Sequence, residues 1–265
     1  MKYLVTLQMT SPFVEDRTFI PWQQGSAYTA WIYRVLNTDN PIMADKIHRT
    51  PSVPQEKTSI RGFSISPLQF EFGHALSKGF YPGTPFAVLT IGTFDSQVGD
   101  ALVRSASKVP LQVGDVVFSV VHVMTMPEPV WDATDSLSVQ CSPIALRTHR
   151  EGHAHPAFPR DPEWHDLLVQ NLVHKARQFC GVTVPVSDVT ITTAKDWQAR
   201  YQRPYGFPVP AFRPRSELVI TAPNAVYDAI YTLGLGVLNS AGLGVLTTDT
   251  ATRLAGLDET EILVM

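Results

Sequence analysis

The order of the predicted secondary-structure elements constrains the fold of this 265-residue chain more than any other feature. Alternating apolar and polar residues at 3–9 predict a strand, and apolar residues at helical spacing follow Ser26, a residue type that can cap a helix. Asn40 and Pro41 predict the start of a short helix that ends at about His48. The first half then continues with predicted strands at 60–68 and 85–94, a helix at 95–106 and a long strand at 111–124.

The second half of the chain repeats this order of elements. We predict a strand at 137–147, a helix at 161–179, strands at 189–193 and 218–221, a helix at 224–233 and a closing strand at 245–248. The proline-rich segment 203–215 predicts a loop between the two middle strands. Two βαββαβ units are typical of tandem ferredoxin-like (RRM-like) domains, so we expect an α+β fold with domains at 1–129 and 130–265.

The composition excludes several classes of protein and site. Hydrophobic residues make up 44% of the chain and charged residues 17%, which is ordinary for a globular protein. No apolar run approaches the roughly 18 residues of a membrane helix, so we expect no membrane partner. The two cysteines, Cys141 and Cys180, indicate free thiols in a reducing cytoplasm and exclude a zinc site built from cysteines. The histidines at 149, 153 and 155 have no familiar zinc spacing, so they predict a polar loop first and a phosphate contact second, and we expect no metal site.

Positive charge is concentrated in one segment, although the formal net charge is −3. Five basic residues and one acid lie between positions 195 and 215, and aromatic residues stand among the arginines. Such a mixture suits phosphate contacts and base stacking with single-stranded RNA, and the predicted contacts are Arg203, Arg213 and Arg215. A proline-rich crossover with exposed arginines is the open alternative.

A glycine-rich segment, Gly234-Leu-Gly-Val-Leu-Asn-Ser-Ala-Gly-Leu-Gly244, lies close to the end of the second predicted domain. It is not a dinucleotide-binding loop, because Asn239 stands where the third glycine would be and a helix, not a strand, comes before it. No lysine follows as in a Walker motif. Paired glycines allow positive φ and a close approach of the backbone to another chain or to a phosphate. The paired glycines therefore favour a functional segment over a flexible turn.

The segment resembles the C-terminal glycine motif of the CRISPR-associated repeat-RNA processing endoribonucleases, the sixth numbered Cas family within the RAMP superfamily. Three further stretches resemble this family in the same order: 33–48 (Tyr33 to His48), Phe63-Ser-Ile-Ser66 and Cys141-Ser-Pro-Ile144. The resemblance implies tandem ferredoxin-like domains that bind CRISPR repeat RNA and cut precursor CRISPR RNA once, without metal or cofactor. It implies products with 2′,3′-cyclic phosphate and 5′-hydroxyl ends. It also implies RNA contacts at Gly234, Gly236, Gly242 and Gly244.

The expected partners follow from the same resemblance. They are the repeat RNA and, as a candidate, a CRISPR interference complex, with the chain a monomer or a homodimer. A repeat-binding or scaffold subunit that does not cut RNA is the alternative function. An unrelated ferredoxin-like protein for small ligands is a third.

The resemblance also supplies candidate catalytic residues. Histidine suits proton transfer near neutral pH, and a helix end favours its charged form, so His48 is the candidate general acid. Tyr33 matches the tyrosine that works with this histidine in some family members, and Tyr28 is the second choice. Lys57 and Arg61 compete as the cation that stabilises the charged phosphorane; we favour Lys57 and assign Arg61 to RNA binding.

Overall fold

A computed structural model describes residues 1–22, 24–49, 62–76, 78–132, 136–150, 153–192, 197–202 and 209–255. The first half contains, in chain order, β1 (Lys2–Met9), β2 (Ile20–Pro21), α1 (Gly25–Asp39), α2 (Pro41–Arg49), β3 (Phe63–Ile65), β4 (Gly73–Ala75), β5 (Gly79–Pro82), β6 (Phe86–Thr93), α3 (Ser96–Ser105), β7 (Leu111–Val113) and β8 (Val116–Met126).

The main sheet of the first half has the strand order β3-β6-β1-β8-β7, and all neighbours are antiparallel. Without the short edge strand β7, this is the ferredoxin-like order with β1 and β6 in the centre. Side chains alternate across the sheet. Tyr3, Val5 and Leu7 of β1 pack into the core that α1 and α3 cover, whereas Leu4 packs into the core of the second half. The sheet is therefore covered by its own helices on one face and by the second half on the other.

Three details of the first half differ from prediction. Ser26 lies inside α1 and caps nothing, because the helix begins at Gly25 after Gln24. The predicted strand at 111–124 is a hairpin of β7 and β8, since Gly114 adopts a φ of 62° and turns the chain. A small sheet of β2, β5 and β4 was not predicted. The predicted cap of α2 is confirmed: Asn40 Oδ1 accepts hydrogen bonds from the backbone N–H groups of Ile42 and Met43.

The second half repeats the βαββαβ order with additional hairpins. It contains, in chain order, β9 (Leu137–Val139), β10 (Arg147–Arg150), β11 (His153–Pro156), α4 (Trp164–Lys175), β12 (Thr190–Thr192), β13 (Trp197–Gln202), β14 (Val209–Pro214), β15 (Leu218–Thr221), α5 (Asn224–Leu233) and α6 (Thr248–Leu254). Its main sheet has the order β12-β15-β9, and an isolated bridge between Cys141 and Leu246 stands where the fourth strand of a ferredoxin-like sheet would lie.

The second half corrects three further predictions. The proline-rich segment is not wholly a loop, because 209–214 forms β14, which pairs with β13; residues 203–208 lie outside the described residues. The stretch predicted as a histidine-rich polar loop contains the paired strands β10 and β11. The closing strand at 245–248 is reduced to the bridge at Leu246, and α6 begins at Thr248.

The fold class is confirmed: the chain has an α+β fold with two ferredoxin-like units, each with a hydrophobic core. The boundary between residues 129 and 130 stays a prediction. Within the described ranges, no helix is both long and apolar enough to cross a membrane.

Candidate nucleic-acid interface

Two of the predicted catalytic residues, Tyr33 and His48, lie on the helices α1 and α2. His48 belongs to the last turn of α2 by its backbone, but its side chain lies outside the described residues, as do Lys57 and Arg61. Tyr33 is half-buried on α1, and its ring meets that of Phe63 edge to face, with centroids 6.2 Å apart.

Tyr28, the second choice, is a core residue. Its side chain is buried, and its hydroxyl accepts a hydrogen bond from the backbone N–H of Leu68 at 2.8 Å. Burial raises the pKa of the Tyr28 hydroxyl far above its ordinary value. This environment fits a packing role and does not favour proton transfer to a substrate.

The glycine-rich segment folds into a tight loop after α5, with all four predicted glycines at positive φ: Gly234 at 79°, Gly236 at 66°, Gly242 at 85° and Gly244 at 64°. All four are buried. Three of them approach the chain's own backbone closely: a Cβ at Gly234 would overlap the carbonyl oxygen of Gly244, one at Gly236 that of Ala145, and one at Gly244 that of Leu235. Glycine at these three positions is thus required for internal packing. RNA contact by the four glycines stays a prediction.

A buried lysine on α4 holds this loop. Lys175 Nζ donates hydrogen bonds to the carbonyl oxygen of Gly234 at 2.6 Å and to Asn239 Oδ1 at 2.8 Å. Asn239 Nδ2 in turn donates to the carbonyl oxygens of Leu235 at 2.9 Å and Leu243 at 2.7 Å. Burial lowers the pKa of Lys175 to about 7. One ammonium and one amide therefore join both ends of the glycine loop.

Sequence reasoning missed Lys175, although a signal for it exists. Lys175 continues the apolar stripe of Leu168 and Leu172 at spacings of four and three residues, so a helical projection places it on the buried face of α4. A lysine at such a position needs buried acceptors. Nothing in the sequence indicates that these acceptors lie 59 and 64 residues further along the chain.

The glycine loop and the end of α5 are also bonded to the first half of the chain. Lys2 Nζ donates to the carbonyl oxygen of Tyr231 at 2.7 Å, and Ser64 Oγ donates to that of Thr232 at 2.6 Å. Thr29 Oγ1 donates to the carbonyl oxygen of Ser240, inside the loop, at 3.0 Å. The last carbonyls of a helix have no partner within the helix. Strands and helices of the first half supply these partners, so the loop lies at the interface of the two ferredoxin-like units.

The predicted basic segment is only partly described. Arg213 lies on β14 opposite Gln198 of β13, Arg215 follows the end of β14, and both arginines are exposed. Arg203 lies outside the described residues. Of the side chains that the structure describes, no group of three or more His, Cys, Asp or Glu residues is arranged to hold a metal ion.

Comparison with known proteins identifies the relatives of this architecture. A family model, the C-terminal region of the CRISPR-associated protein Cas6, matches residues 126–248, which include the glycine loop. No curated protein matches the chain in sequence.

Solved structures share the fold at low sequence identity. A RAMP protein binding different RNA substrates superposes with a TM-score of 0.74 at 17% identity, covering 93% of this chain and 98% of that one. A Cas6-related protein from Pyrococcus furiosus has a TM-score of 0.72 at 15% identity, with 93% and 97% covered. A Cas6 product complex has a TM-score of 0.60 at 16% identity, with 93% and 100% covered.

Proposed function

We propose that this protein is a member of the Cas6 family that binds CRISPR repeat RNA and cleaves precursor CRISPR RNA within the repeat. The observation that carries the proposal is the glycine loop: it lies within the matched region 126–248, and it is bonded to both ferredoxin-like units. Similar structures support RNA as the partner, since one is a RAMP protein binding different RNA substrates and another is a Cas6 product complex.

The proposed chemistry uses the RNA's own 2′-hydroxyl. Its oxygen attacks the adjacent phosphorus, the bond from phosphorus to the 5′ oxygen breaks, and a 2′,3′-cyclic phosphate and a 5′-hydroxyl result. One group must take the 2′ proton, a second must give a proton to the departing 5′ oxygen, and a donor must stabilise the charged phosphorane. No metal takes part in this scheme.

His48 is the proposed general acid. It belongs to the last turn of α2, and the negative end of a helix dipole stabilises a nearby imidazolium, which is the form that can donate a proton. Tyr33 is the proposed partner of His48, and Lys57 the proposed cation, with Arg61 as the competing choice. The identity of the general base is left open.

The test is cleavage of the cognate repeat RNA in EDTA by the parent protein and by His48→Ala. Positioned acid–base groups contribute about 100- to 10,000-fold to rate, so we expect His48→Ala to cut at least about 100-fold more slowly while it binds RNA with unchanged affinity. His74→Ala is a matched control, because His74 is an exposed histidine on the small strand β4.

A second substrate tests the chemistry independently of any variant. RNA with a single 2′-deoxy nucleotide before the scissile phosphate should bind normally and resist cleavage. Cleavage of this substrate would refute attack by the 2′-hydroxyl. Binding of the repeat without cleavage of any substrate would identify the chain as a repeat-binding subunit instead.

A further inference from the structure

A polar pocket lies on the second half, and none of the proposed catalytic residues is among the residues that line it. This arginine pocket has a volume of about 410 Å³. It is lined by Gln140, Cys141, Gln198, Arg213, Pro214, Arg215 and Ser216. Small-ligand pockets measure roughly 300 to 1,000 Å³, so its size suits a group of about one nucleotide.

Two cations line the arginine pocket from one stretch of the chain. Arg213 lies near the end of β14, and Arg215 lies in the bend that follows it. Gln198 stands directly opposite Arg213 on β13, and Gln140 comes from the chain segment that follows β9. Cys141 is a buried residue that lines the pocket near Arg213.

The two guanidinium groups are not neutralised within the part of the chain that the structure describes. Glu217 is the acid nearest to them in sequence, and it is engaged elsewhere: it accepts a hydrogen bond from Ser138 Oγ and lies 3.9 Å from Arg253. Neither Arg213 nor Arg215 forms an ion pair with any described carboxylate. Two exposed guanidinium groups with no acidic partner among the described residues are suited to a phosphate group, which they can bind with bidentate hydrogen bonds.

The two glutamines add a second kind of recognition. A glutamine amide presents one acceptor and two donors, and this pattern matches the edge of adenine, which offers N7 as an acceptor and N6 as a donor. Bases of single-stranded RNA can be turned outward so that proteins bind these edges. A paired stem keeps its bases stacked and offers no such group to a concave pocket.

We propose that the arginine pocket binds one unstacked nucleotide of the repeat RNA, adenosine by preference, with its phosphate at Arg213 and Arg215 and its base edge at Gln140 and Gln198. The inference rests on the proposed function, because it requires that the chain binds repeat RNA. The pocket then sets which single-stranded position of the repeat is held, independently of the residues that cut.

The experiment is an abasic scan. The full chain is titrated into fluorescently labelled repeat RNA that carries a 2′-deoxy nucleotide at the cut site, so that binding is measured without cleavage. Each position in turn lacks its base. We expect one position, an adenosine, at which loss of the base weakens binding roughly 5- to 100-fold, as for loss of one bidentate amide–adenine pair.

Protein variants identify the pocket as the cause. The double variant Gln140→Ala, Gln198→Ala should weaken binding of the intact RNA by a similar factor and should add no further loss on the abasic RNA. The double variant Arg213→Ala, Arg215→Ala should reduce the slope of log affinity against log salt by about 0.7, the value for one phosphate contact on single-stranded RNA. Arg177→Ala, an exposed arginine outside the pocket, is the matched control.

The outcomes separate this inference from the proposed function. A protein that does not bind the repeat at all refutes both. Normal repeat binding with a flat abasic scan, or with glutamine variants that bind like the parent, refutes the nucleotide pocket alone. Titration with free AMP distinguishes the source of the nucleotide: saturation by AMP combined with a flat scan would assign the pocket to a free nucleotide and refute the RNA proposal.

Discussion

Replacement of Lys175 by Met tests whether the buried ammonium holds the glycine loop. The unbranched Met side chain preserves much of the packing and removes both hydrogen bonds, to Gly234 O at 2.6 Å and to Asn239 Oδ1 at 2.8 Å. A buried acceptor that loses its donor costs about 1–3 kcal/mol, so two acceptors cost roughly 2–6 kcal/mol. The variant no longer desolvates an ammonium, which offsets part of this loss. We expect the free energy of unfolding to fall by about 2–4 kcal/mol.

The measurement is urea unfolding at pH 7, followed by tryptophan fluorescence and by circular dichroism. Lys108→Met is the control, because Lys108 is exposed and its replacement should change stability by no more than about 0.5 kcal/mol. A Lys175→Met protein that unfolds at the same urea concentration as Lys108→Met would refute the structural role of the buried ammonium.

A double-mutant cycle then tests the connection between Lys175 and the loop. Asn239→Ala removes the acceptor of one Lys175 hydrogen bond together with two donations to the loop backbone. Because the two residues share a hydrogen bond, their effects should not add, and the double variant should be more stable than the sum predicts by at least about 0.5 kcal/mol. Strict additivity would mean that the two side chains act separately.

Two further predictions concern pH and backbone geometry. Burial lowers the pKa of Lys2 and of Lys175 from 10.5 to about 7. Between pH 7 and 10.5 the unfolded chain therefore holds protons that the folded chain has lost. The free energy of unfolding should rise as pH increases through this range. Urea unfolding at pH 6.5 and 9 should show this rise, and the Lys2→Met, Lys175→Met variant should show a smaller one; an equal rise would contradict the assignment. Gly181→Ala should lower the free energy of unfolding by roughly 1–2 kcal/mol, because φ at Gly181 is 70° although no atom lies near the added Cβ. Gly244→Ala should lower it further, because the added Cβ would also overlap the carbonyl oxygen of Leu235. Equal melting temperatures for the two alanine variants would contradict the tight packing of the loop.

The sequence was sufficient where local pattern determines structure. The helix predicted at 224–233 is α5 to the residue, because its apolar positions recur at helical spacing and a glycine with positive φ follows its last residue. Asn40 was predicted correctly as a cap for the same reason: its partners are the next few backbone N–H groups.

Prediction was wrong where neighbouring strands decide the structure. The prolines at 210 and 214 suggested a loop, yet both lie in β14. The N–H of Phe212 points away from β13, toward Ile144, and alternation gives Pro210 and Pro214 the same direction. Their missing N–H groups therefore remove no hydrogen bond to β13, and the strand accepts them.

The contacts that organise the candidate site were also beyond local pattern. Ser64 and the carbonyl oxygen of Thr232 are 168 positions apart, and Thr29 and the carbonyl oxygen of Ser240 are 211 apart. Hydroxyl donors of this kind are common on any surface or turn, so nothing marks these two as partners of the loop before the halves are packed together. The glycine spacing identified the loop, but only the packing explains its conformation.

The bond between Lys2 and Tyr231 has a consequence for synthesis of the chain. Its two residues are separated by 229 positions. Ribosomes add about 5–20 residues per second, so the lysine waits on the order of 10–50 seconds before its acceptor exists. During that time the ammonium has no buried acceptor and is stable only in water, so the face of β1 that receives the second half must stay hydrated. The nascent first half thus carries a charged, hydrated surface that is desolvated only when the end of α5 packs against it.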